Sequence, residues 1–573
     1  MLRTKTLGEL RAADAGSTVT LAGWVHTRRD HGNVTFIDLR DRYGLTQIVA
    51  HATEQAAAHA ALKDVRNEWV LQVKGTVRAR KEGTKNPKLA TGDIEVAAGE
   101  IRVLNQAKTP PFYVNEETPV EENLRWKYRY VDLRREKPRE LMRLRHEVTN
   151  FIRSFFVERG FWEIETTTMI RSDPTGARDF VVPSRYYPGK FWALPQSPQQ
   201  LKQILMIGGI DKYVQIARCY RDEDPRADRI YELTQLDVEM SFAEPQDVME
   251  ILEACYTGLI ERFGKKPLHK KPWPRMTYDE AMKRYGSDRP DTRFAMELVD
   301  LTDALQATSF GVFKDAIAAG GAVRAIVVPG KAGASRNEVD GWTAIAKTRG
   351  AKGLVSFAFA GGEVKSPVGK FFTDEELAKI RTVAGAEDGD MVLAVAAEYR
   401  VASRSIGEVR RQLGMFEREP DGKWTFSHNP FAGPLDDANA KLLYTDPGKA
   451  TSSQYDLVID GHELGGGSIR IHDRVMQERV FEVLGISKED AAVRFSALLD
   501  ALEYGAPPEG GIATGMDRTV MVLAGLANAR ETIAFPKTQT GYDPLLDAPA
   551  TLGEEQLKEL GLRVITPPTE RTS

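Results

Sequence analysis

The stretch from Tyr213 to Phe242, YVQIARCYRDEDPRADRIYELTQLDVEMSF, constrains this chain more than any other. Leu236 to Phe242 alternates apolar and polar residues without a break. That is the period of a strand with one face in a core and the other in a solvated cleft. Val214 to Tyr220 is a second short, β-prone run, and between the two lies Arg221 to Arg229, densely charged and broken by Pro225. The pattern predicts a long antiparallel hairpin with a charged loop, Arg221 at a strand end, and Asp237 and Glu239 on the wet face. A solvated hairpin tip with incidental charges fits the same pattern.

The 573 residues predict three or four domains with ample length for a sizeable core. A net charge of -4 does not demand a nucleic-acid partner, although local patches bind RNA on net-acidic proteins. Two cysteines, Cys219 and Cys255, are too few for a disulfide framework or a Cys-type zinc site. With no signal peptide and no apolar run of membrane-spanning length, the expectation is a cytoplasmic protein with no membrane partner.

Along the chain, residues 1–104 read as five short strands, Val19–Val25, Val34–Leu39, Thr46–Ala50, Val70–Arg78 and Ile94–Val103, with a helical interruption at Glu54–Val65. That count suits a small β-barrel of the oligonucleotide-binding (OB) type. Arg28, Arg29, Arg40 and Arg42 are expected to cluster around Phe36, pairing cations for phosphate with a ring for base stacking. A barrel with surface arginines and a core phenylalanine is the alternative. Residues 105–130, broken at Thr109-Pro110-Pro111, read as a hinge. Residues 131–290 open with Leu141, Leu144, Val148, Phe151/Ile152 and Phe155/Phe156 at helical spacing, a helix ended by Gly160 and followed by a strand from Phe161. From 291 to 417 alanine and glycine rise and the charged blocks vanish, which predicts an inserted α/β domain. Residues 418–573 resume the earlier pattern and end in a peripheral tail. The fold class expected is α+β multidomain.

Three further stretches carry chemistry. In Tyr455–Arg470, YDLVIDGHELGGGSIR, Asp460-Gly461 is a two-residue turn signal. It pairs Ile459 with His462 and Val458 with Glu463, leaving Asp456 and Glu463 as diagonal neighbours. Two such carboxylates repel unless solvated, protonated or bridged by a cation, and Mg²⁺ holding ATP phosphates is a natural bridge. Arg470 shares their face only if Gly465-Gly466-Gly467 contains a bulge. Gly510 to Arg518, GGIATGMDR, is a glycine-rich strand leading into the apolar helix Thr519–Leu526, where glycines admit a ligand and an arginine can meet phosphate or a base. Ser197-Pro198-Gln199-Gln200-Leu201-Lys202 opens another helix. No GxxxxGK[ST] phosphate loop is present.

The blocks ALPQSPQQLKQ, RCYRDEDPRADR…ELTQLD, YDLVIDGHELGGGSIRIHD and LEYGAPPEGGIATGMDR, which follow one another in family order, resemble the class II aminoacyl-tRNA synthetases in the form carried by bacterial aspartyl-tRNA synthetases. The resemblance covers nearly the whole chain. It implies an N-terminal OB-fold anticodon-binding domain, an antiparallel-sheet catalytic domain interrupted by the insert, and a homodimer through the 141–165 unit. It implies L-aspartate, ATP with Mg²⁺, and tRNA-Asp as partners, and leaves open whether tRNA-Asn is charged as well. Thr175, Ser197, Gln199, Lys202, Arg221, Asp237, His428 and Arg470 fall at aspartate-binding positions. Arg221, Asp222, Glu223, Ile230, Leu233, Glu463, Gly515, Met516, Asp517 and Arg518 fall at ATP positions, with Arg221 and Arg518 catalytic and Asp456 and Glu463 the metal carboxylates. Arg29, Phe36, Gln47 and Glu95 match anticodon-reading positions, and His31 with Gly83 resemble members that accept both tRNAs. Neither HIGH-like nor KMSKS-like blocks of class I synthetases occur.

Some positions depart from the family. Thr167 replaces the family's characteristic proline just after the 141–165 unit, Thr175 a glutamate at the substrate amino group, Leu233 a stacking phenylalanine, Ile230 a glutamine, Asn429 a histidine and Met516 a leucine. Two functions stay open on the sequence: a working aspartate–tRNA ligase, and a divergent paralogue that binds tRNA or aspartate without charging.

Overall fold

The structure is a computed structural model that describes residues 2–116, 118–172, 178–224, 229–414, 431–446 and 450–565. Its chain separates into two compact units, one of residues 1–147, 225–230 and 527–556 and the other of 148–224, 231–526 and 557–573.

In the first unit, β1 (Thr18–Asp30), β2 (Val34–Arg40), β3 (Leu45–His51), β4 (Val70–Ala79) and β5 (Ile94–Asn105) close into a barrel of order β1-β2-β3-β5-β4. Alternate residues such as Leu21, Ile37, Ile48, Val73 and Val96 fill it, as period-2 side-chain direction requires. The short helix α1 (Ala56–Ala61) contributes Ala58 to that core. The expected cluster of four arginines around Phe36 is not formed. Arg29 pairs with Phe36 across β1 and β2. Arg40 instead is buried on the outer face of the barrel, 5% exposed, and makes two bonds to Glu68 at 2.8 and 2.9 Å. Arg42 lies over the Tyr43 ring at 4.6 Å. The reason is that a buried carboxylate captures the guanidinium that the sequence alone leaves free.

Two short helices follow, α2 (Glu122–Lys127) and α3 (Arg129–Asp132), and Trp126 is buried beneath Arg530. Arg125 bridges Asp132 and Glu531. Phe112 and Val114 of the segment read as a hinge pack with Val131 of α3 in a small apolar cluster.

The long helix α4 (Glu136–Val157) leads into the second unit. There β6 (Trp162–Glu163), β7 (Val181–Pro183), β8 (Phe191–Ala193), α5 (Gln199–Ile207), β9 (Lys212–Tyr220), β10 (Glu232–Ser241) and α6 (Pro245–Phe263) come in order. The insert adds β11 (Val299–Asp300), β12 (Ala322–Val328), β13 (Val355–Ala360), β14 (Glu363–Lys365) and β15 (Met391–Ala397), a sheet of order β11-β12-β15-β13-β14. All its recorded pairings are antiparallel, with helices supplying one apolar cluster on each side. Last come β16 (Gln454–Ile459), β17 (His462–Ile469) and β18 (Glu509–Gly515).

The site is built on a six-stranded sheet of order β16-β17-β18-β10-β9-β6. The hairpin read from Tyr213–Phe242 is its centre: β9 and β10 pair from Tyr220↔Glu232 to Lys212↔Met240. Leu236 and Val238 of β10 are fully buried on one face, where the hydroxyl of Tyr256 in α6 reaches Thr514 at 2.8 Å.

Replacing Glu68 by Gln strands the buried Arg40 charge against the outer face of the barrel. Urea unfolding of Glu68→Gln is expected to show a loss of about 3 kcal/mol relative to the parent chain.

Candidate active site

The other face of β10 carries Asp237 and Glu239, and both are fully buried rather than wet. The sequence could not show the cover: α5 lies over this face, and Gln199, Lys202, Gln203 and Met206, at i, i+3, i+4 and i+7, are its buried stripe. Such a stripe is ordinarily apolar. Here it delivers a cation. Lys202 Nζ stands 2.9 Å from Asp237 Oδ1 and 3.1 Å from Glu239 Oε2. Arg470 donates to both oxygens of Glu239, Nε at 2.8 Å and Nη2 at 3.2 Å, and to Ser468 Oγ at 2.7 Å. Two cations and two acids thus form one buried ladder, with Glu239 as the shared rung. Burial alone would raise Glu239, but Arg470 and then Lys202 outweigh it and hold its carboxyl below the usual range. Asp237 is pushed up by burial, with Lys202 opposing. Glu239 as the rung was missed by sequence reasoning; its signal was two acids of one parity facing two cations already suspected.

Glycine makes the geometry possible. A Cβ on Gly511, opposite Glu239 in β18, would stand 2.2 Å from Glu239 Oε2. One on Gly466 would stand 2.8 Å from Asp456 Oδ1. Both positions are left empty so that a neighbouring carboxylate can lie across the strand.

The turn at Asp460-Gly461 pairs Ile459 with His462 and Val458 with Glu463, as the sequence predicts. The bulge that Arg470 requires exists, but at Leu464 rather than within the glycine triplet: Val458 faces Glu463 while Leu457 faces Gly465. Because opposed residues in antiparallel strands share a face, the one extra residue brings Asp456, Glu463, Gly466, Ser468 and Arg470 to the same side. Through Gly466↔Ala513 and Asp237↔Ala513 that is also the side of Asp237 and Glu239. Asp456 is exposed to solvent, yet protein atoms gather closely around its carboxyl. That desolvation, then the charges of Glu463 and Asp288, push it up to about 7.

Arg221 follows the last residue of β9; its backbone N–H donates to Tyr231 O at 2.9 Å and its Nε to Gln196 O at 3.4 Å. Asp222 sits 3.7 Å from Arg178, and Glu223, Ile230 and Leu233 are half-buried. Gly515 precedes the helix Met516–Ala524. In that helix Met516 is buried, Asp517 Oδ2 accepts from Thr234 N at 2.9 Å, and Arg518 Nη1 donates to Glu463 O at 2.8 Å. Arg221 and Arg518 therefore leave β9 and β18 at the same end of the sheet. Arg470, just past β17, belongs to the Glu239 end. From Glu239 to Gln235, level with Gly515, is about 13 Å along β10. Ser197 is half-buried and Gln199 nearly fully buried. Thr175, His428 and Asn429 lie outside the described residues.

On the barrel of the first unit, Arg29 grips Asp38 at 2.6 and 3.0 Å and reaches Gln47 at 3.3 Å, and Gln47 donates to Glu95 at 3.0 Å. Phe36 is half-buried with His31 edge-on to its ring at 5.9 Å, and Gly83 takes φ +82. A line of hydrogen-bonding groups beside a partly exposed ring is what base recognition uses.

The family model for class II tRNA synthetases (D, K and N) matches residues 121–539, and one for the OB-fold nucleic acid binding domain matches 19–104. This chain belongs to the class II tRNA synthetases. It is 47% identical to the aspartate–tRNA(Asp/Asn) ligase of Rubrobacter xylanophilus, over 99% of this chain and 98% of that one. It is 46% identical to the aspartate–tRNA ligase of Geobacillus kaustophilus over the full length of both. Among solved structures, the asparaginyl-tRNA synthetase of Pyrococcus horikoshii complexed with asparaginyl-adenylate shares the fold at a TM-score of 0.58 and 18% identity, covering 94% of this chain and 99% of that one. The aspartyl-tRNA synthetase of Entamoeba histolytica does so at 0.58 and 17%, covering 95% and 93%. The sheet of this class II synthetase is thus the family's antiparallel platform. Among its described residues no helix is long and apolar enough to cross a membrane.

The crowding of Asp456 has a measurable sign. Its carboxyl binds a proton more tightly folded than unfolded, so its contribution to stability falls as pH rises from about 4 to about 7. Asp456→Asn removes that cost. Its Tm is expected to exceed the parent's at pH 8 and to converge with it as pH falls toward 4.

Proposed function

We propose that this chain attaches L-aspartate to tRNA-Asp with ATP, through an aspartyl-adenylate. The observation that carries the proposal is the buried ladder, in which Lys202 and Arg470 are held by Asp237 and Glu239 on one sheet face that ends at Arg221 and Arg518. Lys202 and Arg470 would receive the aspartate side-chain carboxylate, Arg470 with its planar fork. Ser197, Gln199 and Asp237 would line the same pocket, joined by Thr175 and His428 from outside the described residues. Offering asparagine leaves two buried cations short of an anion, and sites built on such groups reject analogues strongly.

The aspartate α-carboxylate then attacks the α-phosphate, releasing pyrophosphate. Arg221, at the end of β9, would stabilise the charge that develops there, already placed before reaction begins. Arg518 and the backbone at Gly515, Met516 and Asp517 would hold the far end of ATP, with Asp222, Glu223, Ile230 and Leu233 along its adenosine side. The 3′-terminal ribose hydroxyl of the tRNA then attacks the aspartyl carbonyl of the adenylate, forming the ester as the acyl–phosphate bond breaks and AMP leaves. Mg²⁺ fits the hard oxygen donors of Asp456 and Glu463, whose mutual repulsion a divalent cation relieves, and it supplies charge neutralisation of the phosphates. Residues 131–290 and 418–573 would form the catalytic domain, 291–417 an insert, 105–130 a hinge and 1–104 the anticodon-binding domain. There Arg29, Phe36, Gln47 and Glu95 would read the bases.

We further propose a cytoplasmic homodimer. Supporting it, β6 is an edge strand whose Trp162 is 65% exposed, and Cys219 and Cys255 are free thiols. Relatives of nearly equal identity are named aspartate–tRNA(Asp/Asn) ligase and aspartate–tRNA ligase. Charging purified tRNA-Asp and tRNA-Asn side by side decides which specificity His31 and Gly83 support.

ATP–pyrophosphate exchange is expected with aspartate and not with asparagine. Arg221→Gln is expected to lower kcat roughly 10²–10³-fold with a smaller change in the aspartate KM. No aspartate-dependent exchange by pure, folded protein would end the ligase reading.

A further inference from the structure

The pocket contains a third acid. Glu509, the first residue of β18, is fully buried and lies opposite Ser241 of β10. Its parity with Gly511 puts its side chain on the ladder face, and its backbone carbonyl accepts from Arg470 N at 2.8 Å. Asp237 has Lys202, and Glu239 has both Lys202 and Arg470. Neither carboxyl oxygen of Glu509 has a hydrogen-bond partner among the described residues. Gln203 of α5 lies close enough to temper its proton affinity but forms no well-shaped hydrogen bond with it. The groups facing Glu509 are therefore Glu239 from β10, Arg470 from beyond β17, and Lys202 and Gln203 from α5.

Three ionised acids against two cations would give the pocket a net charge of -1 before any substrate arrived. An anionic amino-acid side chain would then be repelled from the place meant to select it. We propose that Glu509 is a third acid of the amino-acid pocket, carried uncharged so that Lys202 and Arg470 keep the attraction an anionic side chain needs. This rests on the assignment of those two cations to the aspartate pocket. Desolvation first, then the Glu239 charge, push the Glu509 carboxyl up to about 9, with Arg470 opposing. It is neutral at physiological pH and ionises only above that value, so aspartate binding weakens there.

The test compares the parent chain with Glu509→Gln, an isosteric residue that never ionises, by aspartate-dependent ATP–pyrophosphate exchange between pH 7 and 10. At pH 7.5 the aspartate KM values are expected to agree within about twofold. By pH 10 the parent's KM is expected to exceed the variant's by roughly tenfold, one pH unit above the pKa, while the ratio of kcat values stays flat. Dividing parent by variant removes the titration of the substrate's own amine, which both share. A tenfold higher KM for Glu509→Gln at pH 7.5, or a KM ratio that stays flat to pH 10, overturns the proposal. So does a variant that fails to fold, because an amide in place of an uncharged acid leaves the pocket's charge unaltered. Absence of exchange in the parent would count against the ligase reading instead. Calorimetric titration with aspartate over the same pH range then reads the same ratio.

Discussion

Pairing of charge without water is the constraint on which the rest of the second unit depends. Taking an ammonium, a guanidinium and two carboxylates out of solvent costs several kcal/mol each unless every one finds a close counter-charge. Asp237, Glu239, Lys202 and Arg470 meet that demand only because three separate segments converge to within hydrogen-bond distance. The polar stripe of α5, the glycine at 511 and the hydroxyl of Ser468 make sense as accessories to that convergence. Remove Lys202 and Asp237 is left buried without its cation; remove Glu239 and Arg470 loses its acid.

Parity is the second controlling fact. A strand changes the face of every downstream side chain when one residue is added. The extra residue at Leu464 carries Glu463 and Arg470, seven positions apart and so of opposite parity in a regular strand, to a common side. A regular β17 would send Arg470 toward the side where Leu236 and Val238 are packed. Asp456, Glu463 and Arg470 share a surface because the strand is irregular.

How much of this was legible follows from which interactions are local. The β9–β10 hairpin, the turn at Asp460-Gly461 and the five barrel strands show in the sequence because period-2 patterning and turn chemistry are set by near neighbours. Lys202, Asp237 and Arg470 were found through resemblance and the chemistry of their side chains. What sequence patterning got wrong was solvent: an alternating strand cannot tell whether its polar face meets water or a helix, so Asp237 and Glu239 looked wet. Arg40 was misplaced for the same reason, since Glu68 lies 28 residues away and no periodicity links them. The bulge was inferred as a necessity but set among the glycines, which permit irregularity; the sheet pairing put it one residue earlier. Glu509 escaped notice because a lone acid before a glycine-rich strand has no pattern.

The order of the central strands has a consequence for biosynthesis. β9–β10 and β16–β17 are hairpins closed by local turns, whereas β18, emerging more than 260 residues after β10, pairs with both β10 and β17. Loop closure over such a span is the slow, entropically costly step. A nascent chain halted before residue 509 holds Glu239 and Arg470 on two unjoined ribbons, each free to stay hydrated. Desolvation of the charges is thereby deferred until translation has delivered the strand that welds the ribbons together, and a prematurely released fragment has no pocket with which to sequester amino acid or nucleotide.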